Sequence, residues 1–196
     1  MELVLKSERL LLRPLAREDL DLCLELQTDP AVMRYVGDVR AREWVVAQLP
    51  FFLRRCAGGA VGVWCVTDRT DGAKLGTGIL LPLPIDDEVR NWDLVAGEGL
   101  PEGEIEVGYL LKPSAWGRGY ATEVCGRLLR FAFEETALPA VVAVTDPDNA
   151  ASQNVLRKCG LRGEGLRRAY GERIPGFRIT RAQWRDGARE SPPGPA

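Results

Sequence analysis

The chain has 196 residues, the length of one domain, and its 45% hydrophobic and 28% charged residues give a globular balance that excludes a disordered polymer. Lys and Arg number 26 against 28 Asp and Glu, a formal charge of −2, which argues against a generic nucleic-acid binder. Histidine is absent, so no Ser-His-Asp or Cys-His nucleophile and no His-ligated zinc or haem can exist; acid–base chemistry near neutral pH falls to a carboxylate, Tyr, Cys, Lys or solvent.

Cys23, Cys56, Cys65, Cys125 and Cys159 are odd in number and scattered, with no C-x-x-C, the pattern of buried core thiols in a reducing cytosol. The opening MELVLKSERLLLRPL spreads charges through its apolar positions and has no signal-peptide core. No apolar run is long enough for a bilayer. A cytoplasmic protein with no membrane and no nucleic-acid partner is expected.

In chain order, residues 8–14 (ERLLLRP) predict an opening strand, and Arg17 to Asp29 a helix closed by Pro30. Ala41 to Arg55 is helical in pattern, with a break expected at Pro50. Val61 to Thr67 and Lys74 to Leu81 read as a hairpin joined through Asp68–Gly72. A polar loop over Pro82 to Gly103 precedes a strand at Glu104 to Lys112. Gly119 to Ala137 carries the strongest amphipathic stripe, at Ala121, Val124, Cys125, Leu128, Leu129, Ala132 and Phe133. Ala140 to Val144 is a strand buried on both faces, and Asn149 to Cys159 a helix stopped by Gly160. Strands at Leu166 to Tyr170 and Arg178 to Trp184 close the chain, so residues 1–185 form one mixed α/β domain with helices on both faces of its sheet. The Pro/Gly-rich tail, 186–196, is expected to be disordered.

The informative stretch is Glu106-Val107-Gly108-Tyr109-Leu110-Leu111 followed by Trp116-Gly117-Arg118-Gly119-Tyr120-Ala121-Thr122-Glu123. A strand, a turn with two glycines and a strong helix follow directly. Glycines let backbone approach a ligand closely, and the helix start offers unpaired N–H groups and a positive dipole end, a cradle for phosphate. The stretch lacks the Lys-Ser/Thr of a P-loop, and Thr122 breaks the dinucleotide pattern G-x-G-x-x-G.

WGRGYATE resembles the acetyl-CoA pyrophosphate loop of the GNAT acetyltransferases, in the version used by the RimJ/RimL-like branch. ERLLLRPLAREDLD with DPAVMRYVGD, EVGYLL, and DPDNAASQNVLRKCGL are similar to three further segments of that branch in the same order. The resemblance covers about residues 8 to 184. It implies a mixed, mostly antiparallel sheet with a splayed parallel strand pair, and an acetyl-CoA-dependent N-acetyltransferase working by direct transfer, with no metal.

By resemblance, the backbone of Leu110 and Leu111 bonds the pantetheine arm. Trp116 and Gly117, Arg118, Gly119, Tyr120 and Ala121 hold the pyrophosphate, with Thr122 adding its own contact. Asn149 matches an asparagine that contacts the cofactor, and is equally an N-cap for its helix. Arg157 and Lys158 either reach a 3′-phosphate or are solvated helix charges. Glu106 matches the strand carboxylate beside the thioester. Strand alternation puts Glu104, Glu106 and Gly108 opposite Ile105, Val107 and Tyr109. A desolvated Glu106 would have a raised pKa and take the amine's proton; the competing reading is a salt-bridged strand residue. The family's leaving-group acid, a Tyr, falls at Leu156 here, leaving Ser152, Tyr109 or water. Cys125 and Cys159 lie on apolar faces, and no acetyl-cysteine is invoked.

Between Pro82 and Glu106 stand Asp86, Asp87, Glu88, Asp93, Glu98, Glu102, Glu104 and Glu106 against Arg90 alone. That loop reads either as a negative rim drawing a cationic amine acceptor or as a solvated acidic loop. Trp92 lines a pocket or packs the loop down. An aminoglycoside-type acetyltransferase and a catalytically silent acyl-CoA-binding module are the alternative functions, and a homodimer is compatible with the family.

Overall fold

Alternating burial of Leu10 and Leu12 builds the first edge of the sheet. The computed structural model describes residues 2–87 and 90–190. Strand β1 (Leu5–Lys6) turns into β2 (Leu10–Pro14). A turn at residues 17–19 then leads into helices α1 (Leu20–Gln27), α2 (Pro30–Met33) and α3 (Arg42–Phe52). The hairpin β3 (Gly62–Asp68) and β4 (Lys74–Pro82) closes through Gly72 N donating to Asp68 O at 3.0 Å. Strand β5 (Ile105–Leu111), helix α4 (Tyr120–Arg130), strand β6 (Ala140–Val144) and helix α5 (Ala150–Lys158) follow. Strands β7 (Arg162–Ala169) and β8 (Glu172–Thr180) precede helix α6 (Arg181–Glu190).

The eight strands form one sheet in the order β1-β2-β3-β4-β5-β6-β8-β7. Every neighbouring pair is antiparallel except β5 and β6, which run parallel and meet only at Glu106 opposite Val142. Helix α4 packs on one face through fully buried Val124, Cys125, Leu128 and Leu129. Gly78 makes room for it, since a Cβ there would come within 3.0 Å of Val124 and Leu128. Helices α1 and α3 cover the opposite face.

Several expectations change: the two closing strands begin earlier than expected, at Arg162 and Glu172, because they pair as one hairpin through Tyr170 and Gly171. Helix α3 runs through Pro50 without a break, because Pro50 sits in the last turn, where its missing N–H frees only one carbonyl. The long helix gives way after Arg130 to a wider π-turn over Phe131–Glu135, which buries Phe131, Ala132 and Phe133 in succession. Arg181 caps that end, donating from Nη2 to the Thr136 and Leu138 carbonyls at 2.7 Å each. The last strand ends at Thr180 and a helix begins where a strand to Trp184 was expected. The cause is a capping box: Gln183 Oε1 accepts from Thr180 N at 2.9 Å, and Gln183 N donates to Thr180 Oγ1 at 3.2 Å. Helix α6 carries residues 186–190 of the expected tail, and 191–196 lie outside the described residues.

Candidate active site

The sheet is split where β5 leaves β6. Beyond Glu106 and Val142 the two strands diverge, and among the described residues the backbone edge of β5 from Val107 to Leu111 pairs only with β4. The slot opens towards the C-terminal ends of both strands, where the loop into α4 and the start of α5 lie. A cleft of about 860 Å³ occupies this split, bounded by β5, β6, the start of α5, the β7–β8 hairpin and the segment between α2 and α3.

At the mouth, Gly117 and Gly119 adopt φ of 71° and 79°, the left-handed region that glycine enters without a Cβ penalty. Gly119 caps α4 with no side chain over the helix end. Among the described residues, no protein acceptor takes the backbone N–H groups of Gly117, Arg118, Gly119, Tyr120, Ala121 or Thr122. Six free donors at a positive helix end make an anion cradle that fits a pyrophosphate.

The cradle is braced from the turn between β1 and β2. Glu123 accepts from Ser7 Oγ at 2.8 Å and from Arg9 N at 2.7 Å and Nε at 2.8 Å, and Arg9 Nη1 donates to Arg118 O at 2.9 Å. Burial would raise the Glu123 carboxyl, but these donors outweigh it and hold it below its ordinary value. Tyr120 is buried and donates to Asp68 Oδ2 at 3.1 Å, while Trp116 Nε1 closes the loop on Leu111 O at 2.8 Å. Arg118 and Arg9 both stack on the Tyr120 ring.

Inside the slot, Asn149 Oδ1 accepts from Ser152 N at 3.0 Å, the N-cap geometry, with the residue also lining the cleft. Tyr109 Oη and Ser152 Oγ lie 3.1 Å apart. Burial pushes the Tyr109 phenol well up, so it stays a protonated donor. Leu156 is buried at the cleft wall, leaving the Tyr109–Ser152 pair as the hydroxyls beside it. Arg157 spends its guanidinium on Gln153 and the Phe177 ring, and Cys159 Sγ donates to Thr122 O at 3.4 Å.

Glu106 is 4% exposed, and it is paired rather than alone. Its Oε1 takes both Arg90 Nη2 and Tyr170 Oη, and Arg90 also donates to Tyr170 Oη at 2.7 Å. Among the described residues Oε2 has no protein partner, and Glu106 lines the cleft. The expected desolvated carboxylate is therefore a salt-bridged one with a free second oxygen. Arg90 and Tyr170 are the site residues the sequence reading missed. Tyr170 sits at φ 53° beside Gly171 at 75°, the hairpin tip that hangs on Pro84 O and Ile85 O through both N–H groups. The one basic residue among eight acids was the available signal for Arg90.

The acidic loop is also less free than its count. Asp86 pairs with Arg168, Asp93 with Arg54, and Glu104 with both Arg167 and Arg178. These arginines cancel much of the negative rim expected from the sequence; Glu88 lies outside the described residues. Trp92 does both things expected of it, packing on Phe52 at 5.6 Å between ring centroids and lining a pocket. Among the described residues there is no cluster of three metal-ligating side chains, and no helix is long and apolar enough to cross a membrane.

A sheet split at one parallel junction, with free amides at its mouth and a carboxylate at its closed end, is the architecture of an acyltransferase. Residues 9–162 match the acetyltransferase (GNAT) domain family, and the chain belongs to it. FsC-acetyl coenzyme A-N(2)-transacetylase of Aspergillus fumigatus is 30% identical over 189 residues, 92% of this chain and 77% of its own. A solved acetyltransferase from Agrobacterium tumefaciens superposes with TM-score 0.70 at 26% identity, over 90% of this chain and 93% of its own. A spermidine N-acetyltransferase from Vibrio cholerae, solved with CoA and spermine, shares the fold at TM-score 0.68 and 16% identity, over 91% of this chain and 99% of its own. The protein is an N-acetyltransferase.

Proposed function

We propose that the protein moves the acetyl group of acetyl-CoA directly to a primary amine, of a small molecule or a protein N-terminus, within a ternary complex, and that it belongs to the RimJ/RimL-like branch. The carrying observation is the coincidence of two features: the free β5 edge beyond Glu106 and the cradle of six unpaired amides at the same mouth. In this reading residues 1–185 are one acetyltransferase domain. Gly117 to Thr122, with Trp116 bracing the loop, hold the pyrophosphate; Leu110, Leu111 and the Asn149 amide hold the pantetheine arm.

The amine nitrogen attacks the thioester carbonyl. A C–N bond forms, the C–S bond breaks and its electron pair leaves on sulfur. The free Oε2 of Glu106 takes the proton, directly or through water, while Arg90 and Tyr170 fix the carboxylate by its other oxygen. Tyr109, kept protonated and linked to Ser152, returns a proton to the thiolate. A backbone N–H in the slot faces the developing oxyanion. The name of the Aspergillus relative, an N(2)-transacetylase, supports a nitrogen acceptor.

Calorimetric titration with acetyl-CoA, with desulfo-CoA and NADH as controls, tests the reading. Micromolar acetyl-CoA binding with no response to NADH is expected. No acetyl-CoA binding would sink the cradle assignment, and binding without turnover on a broad amine panel would convert the enzyme into a silent acyl-CoA-binding module.

A further inference from the structure

Beside the cleft lies a second, apolar pocket of about 130 Å³. Cys23 and Leu26 of α1, Phe52 of α3 and Trp92 of the long loop roof it. Its floor includes Thr77, Ile79 and Leu110, and these same three residues line the cleft. Among the described residues no Asp, Glu, Lys or Arg lines it, and burial pushes the Cys23 thiol up to about 12, so that group is uncharged as well.

The position of this pocket is informative. A thioester whose phosphates lie on Gly117–Thr122 runs back along the β5 edge, so its reacting end comes to the closed end of the slot, beside Gly108. Gly108 shares a face with Glu106 and Leu110, because its cross-strand partner is Ile79 while those of Glu106 and Leu110 are Leu81 and Thr77. A Cβ at position 108 would come within 3.0 Å of Ile79 Cγ1. Its absence lets the Ile79 side chain pack against the β5 backbone between the carboxylate and Leu110. Ile79 and Leu110, the wall that the two cavities share, therefore stand beside the thioester position.

We propose that the pocket is an acyl-chain subsite, and that the protein takes acyl-CoA thioesters of about four to six carbons as donors besides acetyl-CoA. This rests on the acyl-CoA reading above. The size fits: an apolar cavity of about 150 Å³ holds a benzene, a six-carbon ligand. The chemistry is unchanged by chain length. Nitrogen bonds to the acyl carbonyl carbon, the C–S bond breaks, sulfur leaves with the electron pair and gains a proton, and the products are an N-acyl amide and free CoA. The acceptor keeps the other side of Glu106, towards Tyr170 and the segment between α2 and α3.

Titration of the full chain with acetyl-, butyryl-, hexanoyl- and palmitoyl-CoA reads the subsite. Each methylene buried tightens binding by about fourfold, so butyryl-CoA should bind about fifteenfold tighter than acetyl-CoA, with the gain lost at palmitoyl length. Cys23→Met, which fills the pocket from α1, should abolish the butyryl advantage and leave acetyl-CoA affinity unchanged. Phe52→Ala should shift the preference to longer chains. If acetyl-CoA binds and butyryl- and hexanoyl-CoA bind no tighter, the subsite is refuted, whatever the variants do. If no acyl-CoA binds, the reading of the cleft itself has failed.

Discussion

Asp19 offers the sharpest test of how the fold is held under the site. Its side chain has no exposed surface, yet it is fully partnered. Arg13 grips it with two bonds of 2.7 and 2.8 Å, Ala16 N donates at 3.0 Å, and Lys74 Nζ stands 3.1 Å away. The cluster ties the start of α1 to β2 and β4, and α1 roofs the apolar pocket. Burial on its own would raise this carboxyl, but Arg13, the Ala16 amide and Lys74 hold it down, from the ordinary 3.8 to about 2. At about 1.4 kcal/mol per pH unit this difference contributes about 2.5 kcal/mol to folding. Because the folded value lies below the unfolded one, the contribution is complete above about pH 4 and is lost as pH falls through about 2. Urea unfolding of the wild type and Asp19→Asn at pH 7, 5, 4 and 3 measures it. The stability gap between the two should be flat from pH 7 to 5, then narrow, with about half of the 2.5 kcal/mol gone by pH 3. A gap that stays constant from pH 5 to 3 would refute the reasoning.

Glu106→Gln keeps an acceptor for Arg90 and Tyr170 but removes the base, so kcat should fall by about 10²- to 10⁴-fold while calorimetric acetyl-CoA affinity holds. Wild-type turnover in this variant would remove Glu106 from the chemistry. Gly117→Ala meets no atom within 4 Å, so its cost is the left-handed backbone, about 1–2 kcal/mol, plus a methyl in the cradle. Acetyl-CoA affinity should drop at least about tenfold, a step of about 1.4 kcal/mol. Gly72→Ala, at φ 74° in the β3–β4 turn, has the same backbone cost and should leave affinity unchanged. Equal affinity losses in both glycine variants would show that general destabilisation, not the cradle, is being measured.

The local chemistry of the chain was legible without coordinates. Period-two alternation placed Glu106 and Gly108 on one face of β5 and Tyr109 on the other. The stripe from Val124 to Leu129 fixed which side of α4 is buried, and Asn149 announced its N-cap. These follow from nearest neighbours along the chain, where side-chain direction is set by backbone geometry alone. The capping box at Thr180 and Gln183 was equally local, and it shows a helix start outweighing the β pattern of residues 178–184.

Charge partners were a different matter. Whether Glu106 stands alone or is paired depends on Arg90 and on Tyr170, 64 positions away at the tip of the β7–β8 hairpin. The acids of the long loop find Arg167, Arg168 and Arg178 on strands that the chain reaches much later. Sequence alone determined the family, the glycine turn proposed to hold phosphate and the candidate base, because each is written in a short contiguous pattern. Only the tertiary structure decided how that carboxylate is paired and held, and that an apolar pocket lies beside the cleft. Electrostatic energy and packing depend on distance in space, and closing the sheet sets those distances between residues the chain keeps far apart.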